Sequence, residues 1–431
     1  MRHLLPISLA LIVGCSTDVS SPIPATTTSQ TALRGGTTAA IESSSELHDA
    51  NGDCHAAAAA GNAFAVDLYS RLRSSSDGNL FFSPYSIHSA LSMTYAGARG
   101  MTAAEMARTL HLDGEAATAF ANAAALSRSL PAGRRATPSC ELQIANRLWG
   151  QQGLTVLPEF ISLTRDNFDA EFGTADFAQH TDEARQTINT WVAKETREKI
   201  KDLLKPGALS PLTRLVLTNA IYFKGQWNKT FEKNATVQAP FHVSADQKVD
   251  IPLMFQRGSF SCLAADGIQV FELPYADKRL AMTILLPEKV DGLAALEELL
   301  STETLNRWLS RLESQQAIVH FPRFRLTNDF SLGPVLRSLG MELALTPGQA
   351  DLSGMAENQD LFISGVIHKA FVDVNEEGTE AAAATAVISN APGPVVKTFV
   401  FRADHPFVFL IRDTRTGSIL FLGRMVKPPA A

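Results

Sequence analysis

The chain lacks the short motifs that announce catalysis. It has no G-x-S-x-G elbow, no H-E-x-x-H helix, no strand-linked G-x-G-x-x-G and no phosphate-binding loop. The ten histidines are scattered, and none pairs with another at metal-ligand spacing. Four cysteines form no C-x-x-C, so neither a metal nor any other cofactor is expected. The adjacent Glu376 and Glu377 cannot serve as a carboxylate pair on a strand, where neighbours point to opposite faces. No basic stripe offsets the formal net charge of −6, which argues against nucleic acid as a partner. No internal repeat is present. What remains is 431 residues, 45% hydrophobic and 19% charged, ordinary for a globular protein with a substantial core.

Long apolar runs are also missing. The one at the start, Leu4 to Val13, is too short to span a bilayer and follows a basic Arg2-His3, the pattern of a signal peptide. Its ending "IVGC", Ile12 to Cys15, resembles the lipobox of bacterial lipoproteins. That resemblance implies acylation of Cys15, and hence membrane contact only through a lipid anchor, at the bacterial outer membrane or cell surface. An ordinary secretory signal would instead leave the protein extracellular. A Ser-, Thr- and Pro-rich stretch follows that cannot bury enough surface to order itself. The expected division is a signal peptide over 1–14, a tether over 15–54 and a folded body over 55–428. Export permits a disulfide, but Cys54, Cys140 and Cys262 leave at least one thiol over, and the sequence does not choose a pairing.

Within the body, "HAAAAAGNAFAVDLYSRLRSS" predicts an amphipathic helix with Phe64, Leu68 and Leu72 on one stripe. "NLFFSP" reads as a short strand stopped by Pro84, followed by two helices and an alanine-rich third from Glu115 to Leu130. Helix is also expected over Asp182–Lys199, with acids first and bases last, over Leu293–Leu312 and through "DFSLGPVLRSLGM". "ELQIANRLWGQQG", "LTRLVLTNAIYFKGQW", "AIVHFPRFRL", the region Ile251–Pro287 and three C-terminal segments read as strands. Helices early and strands late, without strict alternation, predict an α+β fold with large antiparallel sheets.

One stretch resists assignment. In "NEEGTEAAAATAVISNAPGPVV", Ala381 to Ala384 favour helix, Thr385, Val387 and Ile388 favour strand, and Pro392 and Pro394 stop both. The first half of this segment ends a stretch, "LSGMAENQDLFISGVIHKAFVDVNEEGTEAAAATA", that with four others resembles serpin motifs in the family's order: "NLFFSPYSIHSALSMTYAGARGMTAAEM", "LTNAIYFKGQWNKTF", "ELPYADKRLAMTILLP" and "FRADHPFVFLIRDTRTGSILFLGRMVKP". The resemblance covers the whole body. It implies three β-sheets, eight or nine helices and an exposed reactive-centre loop at about 376–397.

It also implies a protease inhibitor rather than an enzyme, acting as a monomer by suicide trapping. The target cleaves the loop, which then inserts into the central sheet and distorts the acylated protease. The hinge would comprise Glu377, Gly378, Thr379, Glu380, Ala381, Ala382, Ala383, Ala384 and Thr385. With strand alternation Thr379, Ala381, Ala383 and Thr385 face the core, and none is charged. Ser83, Ser86, Asn219 and His368 match positions that control sheet opening, and Trp227 and Glu376 the point where insertion starts. The family register puts the scissile bond at Pro392–Gly393, with Asn390–Ala391 as the conventional alternative. No Arg or Lys lies between Gly378 and Val396, which points to serine proteases of non-trypsin specificity or to cysteine proteases. The competing reading is a non-inhibitory binding or chaperone-like protein of the same fold.

Overall fold

The computed structural model describes residues 48–49, 52–130, 139–168, 170–357, 360–379 and 398–429. Strands β1 (His48–Asp49) and β2 (Gly52–Asp53) pair with each other just ahead of α1 (Cys54–Ser74). Asp53 caps that helix, its carboxylate accepting from the amides of His55 and Ala56. After β3 (Leu80–Phe82), Ser83 caps α2 (Pro84–Gly97), with proline at the first turn, where its missing N–H costs nothing. α3 (Gly100–Thr109) and α4 (Ala116–Ser129) complete the early helical layer.

The middle of the chain alternates. β4 (Cys140–Gln151), α5 (Pro158–Phe168), β5 (Phe172–Ala175), α6 (Thr181–Glu195) and β6 (Leu215–Gln226) follow in order. Then come β7 (Val237–His242), β8 (Lys248–Ala265), β9 (Ile268–Pro274) and β10 (Leu280–Pro287). α7 (Leu293–Leu299), α8 (Thr302–Leu309), β11 (Glu313–Pro322), β12 (Phe324–Ser331) and α9 (Gly333–Ser338) lead to β13 (Ile363–Asn375) and the two-residue β14 (Gly378–Thr379). β15 (Phe399–Arg402), β16 (Phe407–Asp413) and β17 (Ile419–Met425) close the chain.

Two large sheets result. The main sheet runs β12-β13-β14-β6-β4-β5, with β13 also pairing directly with β6. The other runs β15-β11-β8-β9-β10-β16-β17-β3, with β7 on β8. The 18-residue β8 reaches from the β7 and β11 end to β9 and so joins both groups of strands into one sheet. Strand β6 explains its own unbroken apolar run. Ile221 and Phe223 pack in an aromatic-rich core between the sheets, while Val216 and Ala220 lie under α6 with Ile188 and Val192. A strand covered on both faces has no solvent side to alternate toward.

Several expected boundaries move. The helix forecast over Asp182–Lys199 ends at Glu195, because Arg197 and Glu198 adopt positive φ values of 50° and 62°. The one forecast over Leu293–Leu312 breaks in two at Ser301, whose side chain and that of Thr304 form a reciprocal capping box. In "DFSLGPVLRSLGM" only Gly333–Ser338 is helical; the preceding residues finish β12. "AIVHFPRFRL" is two strands rather than one, parted at Pro322-Arg323 and assigned to different sheets. Glu376 and Glu377 form a turn between β13 and β14. Cys54, Cys140 and Cys262 are all buried thiols. No described helix is long and apolar enough to cross a membrane, and among the described residues no cluster of acids, histidines and thiols could hold a metal.

Candidate functional site: the seam of the main sheet

The seam between β13 and β6 has two halves. Below, the strands run parallel and paired, from Ile363 opposite Leu215 to Phe371 opposite Tyr222. Above, they part, and β14 fills the gap antiparallel to both: Gly378 opposes Asn375 and Gln226, and Thr379 opposes Val374 and Gly225. Thr379 is fully buried. Its hydroxyl shares a 2.9 Å hydrogen bond with the Tyr275 phenol, itself fully buried and stacked on Trp227 with ring centroids 4.7 Å apart. A Cβ on Gly378 would sit 2.1 Å from the carbonyl oxygen of Gly225. Glycine is there because two backbones meet.

The approach to β14 is tied from three sides. Trp227 donates its indole N–H to the Asn375 carbonyl at 2.9 Å and its amide to the Glu377 carbonyl at 3.0 Å. The Phe231 amide donates to the Glu376 carbonyl. The buried Glu376 carboxylate accepts from the Thr236 hydroxyl at 2.8 Å and lies 3.6 Å from the Arg323 guanidinium, while Glu377 pairs with Lys233. Thus Glu376, Trp227, Glu377, Gly378 and Thr379, singled out in the sequence, meet at one place. Tyr275 joins them unforeseen. "ELPY" reads as a strand end that opens a family motif, and nothing in it signals a hydroxyl aimed at the hinge.

A second cluster clasps the paired half of the seam. His368 of β13 and Asn219 of β6 are cross-strand partners, and imidazole Nδ1 bonds the Asn219 side-chain oxygen. On its other side Nε2 accepts the Ser83 amide at 3.0 Å. The ring is therefore neutral, with its proton on Nδ1. Burial pushes its pKa down to about 3. Ser83 Oγ donates to the Leu420 carbonyl and accepts the Ser86 amide, so this one residue both caps α2 and anchors it to β17. Asn219 donates to Ser86 Oγ at 2.7 Å and to the side chain of Asn146, which in turn binds the Ser86 carbonyl. Asn146, opposite Asn219 on β4, is the member the sequence reading missed. Nothing in β4, which also carries Glu141, Gln143, Arg147 and Gln151, marks it out.

The arrangement ties two paired strands to each other and to the start of α2. Inserting a further strand would exchange one parallel ladder for two antiparallel ones, the better pairing per residue. The His368–Asn219 clasp stands across that path. The candidate positions Glu380, Ala381, Ala382, Ala383, Ala384, Thr385, Asn390, Ala391, Pro392 and Gly393, and the acylation candidate Cys15, lie outside the described residues.

Comparison with known proteins agrees with this geometry. Residues 59–428 match the family model described as serpin (serine protease inhibitor). The chain belongs to the serpin family. It is 43% identical over 380 residues to the leukocyte elastase inhibitor of Sus scrofa, covering 86% of this chain and 99% of that one. It is 40% identical to serpin B3 of Homo sapiens, covering 85% and 97%. Among solved structures, uncleaved ovalbumin superimposes with a TM-score of 0.77 at 29% identity, over 86% of this serpin and all of that chain. Human thyroxine-binding globulin in complex with thyroxine gives 0.79 at 30% identity, over 88% of this chain and all of that one. The α+β fold expected from the sequence is the serpin fold, with nine α-helices among the described residues.

Proposed function

We propose that this serpin inhibits proteases as a suicide substrate. The carrying observation is β14: the first hinge residues already occupy a ladder place between β13 and β6. The residues that would follow, Glu380 to Thr385, hold no charge at the core-facing positions Ala381, Ala383 and Thr385. Cleavage of the loop would free its leading end to zip downward past Thr379, breaking the His368–Asn219 clasp and carrying the acylated protease with it. Small, uncharged loop side chains and relatives named for leukocyte elastase favour elastase-like or subtilisin-like serine proteases, with papain-like enzymes as a further class. The bond would be Pro392–Gly393 or Asn390–Ala391. Incubation with a protease panel should yield an adduct that survives denaturant and release a C-terminal peptide whose first residue identifies the bond. Cleavage without any adduct would favour a non-inhibitory binding role instead. Residues 1–15 support export with a lipid on Cys15. Metabolic labelling with a fatty-acid analogue, lost in Cys15→Ser, tests that part separately.

A further inference from the structure

Two of the early helices carry alanine where they border each other. Ala56, Ala60 and Ala63 of α1, one helical stripe, and Ala119 and Ala123 of α4 line a cavity of about 360 Å³. Methyl groups on both sides are too short to fill the space between them. His88 of α2 and Ser418, just ahead of β17, belong to the same wall. The exposed His111 and Asp113, on the link between α3 and α4, stand at the mouth, where His111 pairs with Asp67 at 2.7 Å. No Lys or Arg lines the cavity. Two buried polar groups in this wall are unsatisfied, where such groups are ordinarily hydrogen-bonded. His88 is 7% exposed, and its Nε2 donates to the Leu110 carbonyl at 2.9 Å, since a carbonyl only accepts. The proton is therefore on Nε2, and Nδ1 is left as an acceptor with no partner among the described residues. Burial pushes the ring's pKa down to about 4, which keeps it neutral near pH 7. Ser418 is 3% exposed; its amide bonds Thr416, while its hydroxyl has no partner among the described residues.

We propose that this cavity binds an uncharged small molecule built on fused rings, which donates a hydroxyl hydrogen bond to His88 Nδ1. Its volume falls within the range of small-molecule pockets, about 300–1,000 Å³, and its walls select the chemistry. Facing alanine stripes offer two smooth apolar surfaces, which suit a flat ring system better than a branched chain. A neutral imidazole, with no cation among the lining residues, gives a carboxylate or sulfate nothing to pair with, and Asp113 at the mouth would repel it. A ligand without any polar group would seal Nδ1 and the Ser418 hydroxyl away from water with no partner. A hydroxyl on an apolar ring frame satisfies both requirements. None of the lining residues belongs to the β13–β6 seam or to the cluster that clasps it, so this site stands apart from the inhibitory reading.

The probe is 2-naphthol, whose own fluorescence reports binding. Its methyl ether, 2-methoxynaphthalene, lacks the donor, and 2-naphthoate carries a charge. Titrated into the full chain at neutral pH, 2-naphthol should saturate a single site. It should bind about tenfold more tightly than the methyl ether, the worth of one buried hydrogen bond, and more tightly again than the naphthoate. Ala60→Leu combined with Ala123→Leu fills the space and should weaken binding at least tenfold without lowering the melting temperature. His88→Phe should erase the preference for the hydroxyl while the methyl ether still binds; if that variant fails to fold, the ratio of the two ligands on the parent decides the point. Absence of saturable binding, or equal affinity in the parent and the double-leucine variant, would overturn the site. Equal affinity of the parent for the naphthol and its ether, or tighter binding of the naphthoate, would overturn the assigned ligand chemistry.

Discussion

The two halves of the β13–β6 seam are made of the same strands and behave as opposites. The lower half is closed by direct pairing and by a polar cluster in which every member has a partner; the upper half is open and already holds Gly378 and Thr379. Side chains explain the contrast. Where Asn219 faces His368, two amide–imidazole partners hold the strands together. Where Gly225 faces the seam there is no side chain to compete, and Tyr275 offers a hydroxyl to whatever enters. On the proposed inhibitory reading, a sheet begun at one end and clasped at the other is poised to take up a further strand.

The sharpest way to break this contrast is Thr379→Arg. An unpaired charge at a fully buried ladder position costs several kcal/mol. The variant should be cleaved as a substrate, with adduct yield on a denaturing gel falling at least tenfold. His368→Ala attacks the other half. It leaves the Ser83 amide and the Asn219 side-chain oxygen without partners, a cost of about 2–6 kcal/mol at about 1–3 kcal/mol per orphaned group. The clasp would then open without cleavage, seen as loss of trapping capacity during mild heating while the chain stays intact. Gly378→Ala forces β14 out, since its methyl group would meet the Gly225 carbonyl; a loss of about 2 kcal/mol and faster amide exchange at Thr379 should follow.

Acidity sharpens the comparison more gently. His368 titrates near 3 in the folded state and near 6.5 when unfolded, so the unfolded chain binds more protons between those values. Its contribution is fully present above pH 6.5 and is lost at up to about 1.4 kcal/mol per unit as pH falls toward 3. His88, lowered to about 4 by burial, adds to the slope above that value. Urea midpoints against pH should therefore slope less steeply in His368→Gln than in the parent. The smallest effect belongs to Tyr275→Phe, which removes only the Thr379 contact, about 1 kcal/mol, and should loosen β14 while leaving the lower seam intact.

Much of this was legible in the sequence, for reasons that differ by residue. The inter-sheet core could be read because β6, β10 and β16 are apolar along their length. Ser83, Asn219 and His368 were found through family motifs alone; by composition they are ordinary polar residues, and only the fold brings positions 285 residues apart into contact. Tyr275 and Asn146 escaped because their roles depend on cross-strand register, which periodicity does not encode. The breaks at Ser301 and Pro322 were missed because hydrophobic patterning runs through both. The capping chemistry of the first is local, but the change of sheet at the second is not.

The account stands on the claim that the intact molecule holds an unfinished sheet, begun at Thr379 and clasped at His368. Comparing the melting temperature of intact protein with that of protein nicked within residues 390–393 tests it directly. Completion of the main sheet predicts a rise of tens of degrees on nicking. Superimposable melting curves would contradict it.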